Sequence, residues 1–284
     1  MRPKSLRLLI IAVAALSEAA LSNCSLFAGS KVQVGRPCTD ANRPSLAEVE
    51  HQPFDTLLGK HVDDDGMVAY AQWKAKAGDL QMLDNYLSRL SCVDLSKPAP
   101  KTAQLAYWIN AYNAVTIRGI LREYPTSSIR NHTSRLGYNI WKDLYLWVDG
   151  RNYSLDDIEH KLLRRMGEPR IHFALVCASK GCPPLANRAY AAAELDNQLK
   201  ANAQRFFAKA ANFRADAGSR TVYVSQLLKW YGTDFASSPV EQIRLLRPYF
   251  PAPENLSWMD SSNFSVRYLD YDWSLNDQQS HFRR

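Results

Sequence analysis

Apolar positions recur along the chain at a few distinct spacings, and each spacing predicts an element. Leu80, Leu83, Leu87 and Leu90 are three and four residues apart, which lines them up on one face of an α-helix. Leu105, Trp108, Ile109, Tyr112, Val115 and Ile120 repeat that spacing, and Pro125 predicts where this second helix stops. Tyr145 to Val148 reads as a strand and Asp149-Gly150 as a tight turn. Ser154 follows as the N-cap of a helix with Asp156 and Asp157 in its first turn, and Leu155, Ile158, Leu162 and Met166 supply its buried stripe.

Ile171 to Val176 is a continuous apolar run between Pro169 and Gly181-Cys182-Pro183-Pro184, the pattern of a buried strand feeding a loop. A helix from about Ala191 to Ala210 would bury Leu195, Leu199 and Phe206. Thr221 to Val224 predicts a strand, Ser225 the cap of a helix, and Phe264 to Leu275 a terminal strand. Helices and scattered strands without a regular alternation predict an α+β fold, a single globular domain with helices packed on a small mixed or antiparallel sheet. Asp63-Asp64-Asp65-Gly66 predicts a turn. It fails as a calcium loop, because the twelfth position falls on Gln72 instead of a glutamate.

The amino terminus differs in character from the rest. Arg2, Lys4 and Arg7 precede the apolar run Leu8 to Leu16, followed by Ser17, Ala19, Ala20 and Ser22, the order of a secretory signal. The run is too short to span a bilayer, which takes about 20 residues. Residues 1–22 are therefore expected to be a signal peptide, or part of a lipoprotein signal ending at Cys24. A lipid anchor on Cys24 would then be the sole membrane attachment. Residues 23–52, with Gly35, Pro37 and Pro44, read as a linker, 53–276 as the domain and 277–284 as a polar tail. The expected location is exported, periplasmic or associated with the cell envelope. The formal charge of +7 falls when the leader takes Arg2, Lys4, Arg7 and Glu18 with it, so no nucleic-acid partner follows.

Three strings then combine: Tyr107-Trp108-Ile109-Asn110-Ala111-Tyr112-Asn113-Ala114, Ser154-Leu155-Asp156-Asp157-Ile158-Glu159-His160, and Arg170-Ile171-His172-Phe173-Ala174-Leu175-Val176-Cys177-Ala178-Ser179. With Gly181-Cys182-Pro183-Pro184-Leu185, Trp230-Tyr231, Asp234-Phe235 and Tyr271-Asp272-Trp273-Ser274-Leu275-Asn276, the chain closely resembles the domain of unknown function 547 family over about residues 54 to 276. The resemblance implies a shared fold and exported bacterial members. It implies no activity, substrate or catalytic assignment, so the chemistry has to come from the residues.

Three readings of the stretch from His172 to Cys182 compete. In the first, a cysteine-dependent hydrolase or acyl transferase uses Cys177, or Cys182, as nucleophile. His172 or His160 would be its base, oriented by Glu159, Asn110 or Asn113. Strand alternation argues against direct contact, since it places His172 and Cys177 on opposite faces. In the second, Cys177 and Cys182 close a small disulfide loop in a non-catalytic binding or structural domain. In the third, His160, His172, Cys177 and Cys182 ligate a metal, although their spacing matches no compact zinc pattern. No cofactor and no oligomeric state is read from the sequence.

Three further features carry expectations. Asn110 and Asn113 share a side of their helix and are expected to fasten neighbouring loops. Glu159 is expected to pair with Arg164 or Arg170. Trp230, Tyr231, Phe235, Tyr268, Tyr271 and Trp273 would line either a sugar or peptide groove or the core.

Overall fold

The computed structural model describes residues 31–40, 42–134, 138–261 and 263–279. The signal segment, Cys24 and the last residues of the polar tail lie outside these described residues.

Helix α1 (Gln52–His61) starts behind Pro53 and buries Phe54, Leu57 and Leu58. The Asp63–Gly66 turn follows as expected: Gly66 N–H donates to the Asp63 carbonyl at 3.0 Å, and Gly66 has φ +77°, a conformation a side chain would strain. Helix α2 (Tyr70–Ala75) and helix α3 (Ala77–Ser91) come next, and α3 buries Leu83, Leu87 and Leu90. Helix α4 (Lys101–Glu123) is buried almost all round from Leu105 to Leu121. A helix apolar on every side belongs inside the protein, and α4 is the axis of the larger core.

A short helix α5 (Ile140–Asp143) leads into the first sheet. Strand β1 (Val32–Val34) runs parallel to β2 (Leu144–Val148), which pairs antiparallel with β3 (Arg151–Ser154). Asp149 and Gly150 at the hairpin both have positive φ, 46° and 78°, as a two-residue turn between twisted strands demands. Leu144, Leu146 and Val148 are buried in alternation with Tyr145 and Trp147, the period of a strand with one covered face. The stretch read as a linker thus supplies β1. It is also fastened to the end of α3 by the Cys38–Cys92 disulfide, whose Cα atoms are 4.8 Å apart.

Helix α6 (Leu195–Ala208) starts later than its apolar spacing predicts. The Gln198 side chain accepts from Ala191 N–H and donates to the Ala189 carbonyl, each at 2.8 Å, and so holds the preceding residues in a turn. The second sheet has the order β4 (Phe213–Asp216), β5 (Thr221–Ser225), β6 (Ser265–Leu269), antiparallel then parallel. Helices α7 (Gln226–Tyr231) and α8 (Pro239–Leu246) pack beside it, closing a second core around Phe206, Phe207, Val222 and Met259. Ser225 caps α7 as expected, accepting from Leu227 N–H at 3.3 Å. The α+β class therefore holds, with the sheet divided into two three-stranded mixed sheets.

The strand expected over Ile171–Val176 does not form. Pro169–Phe173 is a 3-10 helix whose first turn is capped by the Glu168 carboxylate on Arg170 N–H at 3.1 Å. The hydrogen bonds that a partner strand would supply come from side-chain amides. Asn113 accepts from Val176 N–H and donates to the Ala174 carbonyl, both at 3.0 Å, and Asn202 donates to the Phe173 carbonyl. Alternation of faces therefore does not apply: Ile171 enters the larger core, Phe173 the smaller, and His172 is buried against the rings of Tyr231 and Phe235. The terminal strand is also shorter than expected. After Leu269 the chain turns, and Asp272 and Ser274 accept through their carbonyls from Gly181 and Lys180, each at 2.8 Å. The C-terminal segment thereby clasps the cysteine loop.

Candidate functional site

Ser154 opens the helix expected of it by a reciprocal cap: its Oγ accepts from Asp157 N–H at 3.1 Å while Asp157 Oδ2 accepts from Ser154 N–H at 3.0 Å. The helix then widens into a π-helix over Asp157–Leu163, a form concentrated at functional sites. Glu159 and His160 lie on this wide turn. Glu159 is buried, and Tyr112 O–H donates to its carboxylate at 3.2 Å. Tyr231 faces the same carboxylate, and burial raises the pKa of both phenols. The pairing expected of Glu159 with Arg164 or Arg170 goes elsewhere. Arg164 closes on Asp234, and Arg170 on Glu168 and Asp196, because each guanidinium finds a carboxylate that accepts at 2.6 to 2.7 Å.

His172 is 3% exposed and donates from Nε2 to Asp234 Oδ2 at 2.8 Å. Its ring stacks on Tyr231 with centroids 4.2 Å apart. Burial lowers the imidazole pKa below its ordinary value, and Asp234 partly opposes that, so the neutral ring is favoured. Arg164 grips the same carboxylate with two bonds, 2.7 and 2.6 Å. With His172 it holds Asp234 down at about 2. Arg164 also reaches His160 Nδ1 at 3.2 Å and lies over the Tyr231 ring at 5.5 Å.

Cys177 and Cys182 are joined in a disulfide with Cα atoms 6.2 Å apart, so neither is a thiolate in the oxidised protein. In the chain-entropy picture so short a loop contributes about 2 kcal/mol, against about 4 kcal/mol for the long loop closed by Cys38 and Cys92. Tyr271 O–H donates to Cys182 Sγ at 3.2 Å and stands 3.3 Å from Cys177 Sγ and 3.0 Å from Ser179 Oγ. Gly181 makes room for that ring, since a Cβ there would lie 3.0 Å from two of its carbons.

These groups meet in one cleft of about 360 Å³, walled by Tyr112, Trp141, Trp230, Tyr231, Tyr271 and Trp273. Glu159, His160, His172, Cys177 and Cys182 all line it. Asn110 does not: it is 1% exposed and bonded to the backbone of Tyr190, accepting at 2.9 Å and donating at 2.8 Å. It fastens a loop, as Asn113 does. Of the aromatic residues singled out, Phe235 and Tyr268 pack on the smaller core instead. His160, His172, Cys177 and Cys182 form no ligand set, because the sulfurs are bonded to each other and His172 Nε2 holds Asp234. The one group of three metal-type side chains found among the described residues is Cys38, Asp40 and Cys92, and its sulfurs form the other disulfide. Asp234, Arg164 and Tyr112 were not singled out as site residues, although Asp234 and Tyr112 stand in the strings that carry the family resemblance.

Fold and site together define an α+β domain with an aromatic cleft, a His–Asp–Arg chain that starts from a buried imidazole, and a disulfide in its wall. The model of the family described as a protein of unknown function, DUF547, matches residues 96–207, and over that stretch the chain is similar to that family. The matched stretch contains Glu159, His172 and both cleft cysteines, while Asp234, Trp230, Tyr271 and Trp273 follow it. Neither the curated proteins nor the solved structures contain a match.

Proposed function

We propose that this protein is a binding domain of the cell envelope whose cleft takes an oligosaccharide, with the oxidised cysteine pair forming part of the cleft wall. One observation carries the reading. Trp230, Tyr271 and Trp273 make a cluster of mutually tilted rings with centroids 4.5 to 5.7 Å apart, and Trp230 remains 45% exposed. A large ring left in water beside a cleft is an apolar surface to be covered. Sugar rings present C–H faces that stack on such rings and a rim of hydroxyls for the nearby Asp156, Glu159 and His160. The two disulfides are compatible with an oxidising, exported location. Tryptophan fluorescence titrated with a β-1,4-linked N-acetylglucosamine hexamer is expected to change saturably, and Trp230→Ala to weaken binding at least tenfold. No saturation at millimolar sugar, or an unaffected Trp230→Ala, overturns the reading.

A second reading keeps the cysteine-dependent hydrolase or acyl transferase, because Cys177 and His172 line the same cleft. It needs the pair reduced. Rapid alkylation of Cys177 in the native protein near neutral pH, slowed in His172→Ala, supports it; a fully oxidised pair removes it.

A further inference from the structure

The two sulfurs of the cleft disulfide have different surroundings. Cys177 is half-buried, whereas Cys182 is 5% exposed. Cys182 Sγ accepts from Cys177 N–H at 2.9 Å and from Tyr271 O–H at 3.2 Å. Two donors converging on one sulfur are placed to stabilise negative charge there. Tyr271 Oη and the buried Ser179 Oγ, 3.0 Å apart, also stand 3.3 and 3.2 Å from Cys177 Sγ, so the donor that sets Cys182 apart is the backbone N–H of Cys177. The other disulfide has the opposite environment, with the Asp40 carboxylate 3.6 Å from Cys92 Sγ. An anion there repels an incoming thiolate and disfavours a departing one.

We propose that Cys177–Cys182 is a thiol–disulfide exchange centre for low-molecular-mass thiols that enter the cleft, with Cys177 the sulfur attacked and Cys182 the leaving group. A thiolate attacks Cys177 Sγ and forms a mixed disulfide, while the Cys177–Cys182 bond breaks and its electron pair goes to Cys182 Sγ. Tyr271 O–H and Cys177 N–H hold that thiolate. A second thiol then attacks the ligand's sulfur in the mixed disulfide and releases Cys177. In sum, two thiols are oxidised to one disulfide, and their two protons pass to the protein pair, which is reduced to two thiols. An external disulfide restores the pair by the reverse steps. The exchange goes beyond the saccharide reading and does not rest on it.

Reduced glutathione added to the oxidised full-length protein, with rapid acid quench, alkylation and mass mapping, tests this. Cys177–Cys182 is expected to open at least ten times faster than Cys38–Cys92, with the transient glutathione adduct on Cys177. Tyr271→Phe is expected to slow that opening about tenfold, the loss of one hydrogen bond worth about 1.4 kcal/mol, and to leave Cys38–Cys92 unaffected. Ser179→Ala keeps the phenol and is expected to slow the opening less than Tyr271→Phe. Equal opening of the two disulfides, an adduct on Cys182, or a folded Tyr271→Phe with unchanged rate overturns the proposal. Failure of the sugar titration is read separately, on oxidised protein without thiol.

Discussion

Replacing Asp234 by Asn tests whether a single carboxylate fixes the inner wall of the cleft. Asp234 accepts two bonds from Arg164 and one from His172 at 2.6 to 2.8 Å. Arg164 first, and His172 after it, bring its pKa from 3.8 to about 2. At about 1.36 kcal/mol for each tenfold in proton affinity, that difference is worth about 2.5 kcal/mol. The side chain is 23% exposed, so water screens part of the effect and leaves about 1–2 kcal/mol. Asn adds a second cost of about 1 kcal/mol, since its NH2 must face either Arg164 or His172, both donors. The sign follows from the depressed pKa: the charge stabilises the fold above pH 3.8, and that contribution is lost as pH falls from 3.8 towards 2. Urea unfolding at pH 7 is therefore expected to show Asp234→Asn less stable by about 2–3 kcal/mol, with a Tm lower by about 4–10 °C. The deficit is expected to shrink as pH falls below 3.8. A deficit under about 0.5 kcal/mol at pH 7, or one that is the same at pH 7 and pH 3, would refute the reasoning.

Asn113→Ala removes the partners of the buried Val176 N–H and Ala174 carbonyl and is expected to cost about 2–4 kcal/mol in urea unfolding. The exposed Asn131→Ala is expected to cost under about 0.5 kcal/mol, so equal losses would count against the side-chain amide as the loop's support. Burial lowers the His51 pKa from 6.5 to about 4, so the unfolded chain takes up the proton first and stability falls as pH drops from 6.5 towards 4. His51→Asn, which keeps an acceptor for Tyr86 O–H, is expected to lose about 2–3 kcal/mol less than the parent between pH 7 and 4.5; parallel pH profiles would contradict this.

What the sequence conveyed and what it concealed follow from how far apart the deciding partners lie. Helix α3 and the β2–β3 hairpin were legible because their signals are local: one covered face, one Asp-Gly turn, one strand period. The apolar run after Pro169 was not, because the same run suits a buried strand or a 3-10 segment, and the arbiters are the amides of Asn113 and Asn202 on other elements. The role of Asp234 was concealed in the same way, since Arg164 and His172 stand 70 and 62 residues from it. The candidate residues Glu159, His160, His172, Cys177 and Cys182 nevertheless line one cleft, a grouping suggested by residue chemistry and not by strand alternation, which misplaced His172. Asn110 was the exception, and its burial explains it. A polar residue inside a helix covered on every side must find partners, and both amides of α4 find them in backbone that forms no regular ladder. Such amides are therefore a signal that a sequence does carry: they mark where irregular chain will pass, and here that chain, from Ala174 to Val176, leads directly to Cys177 in the cleft wall.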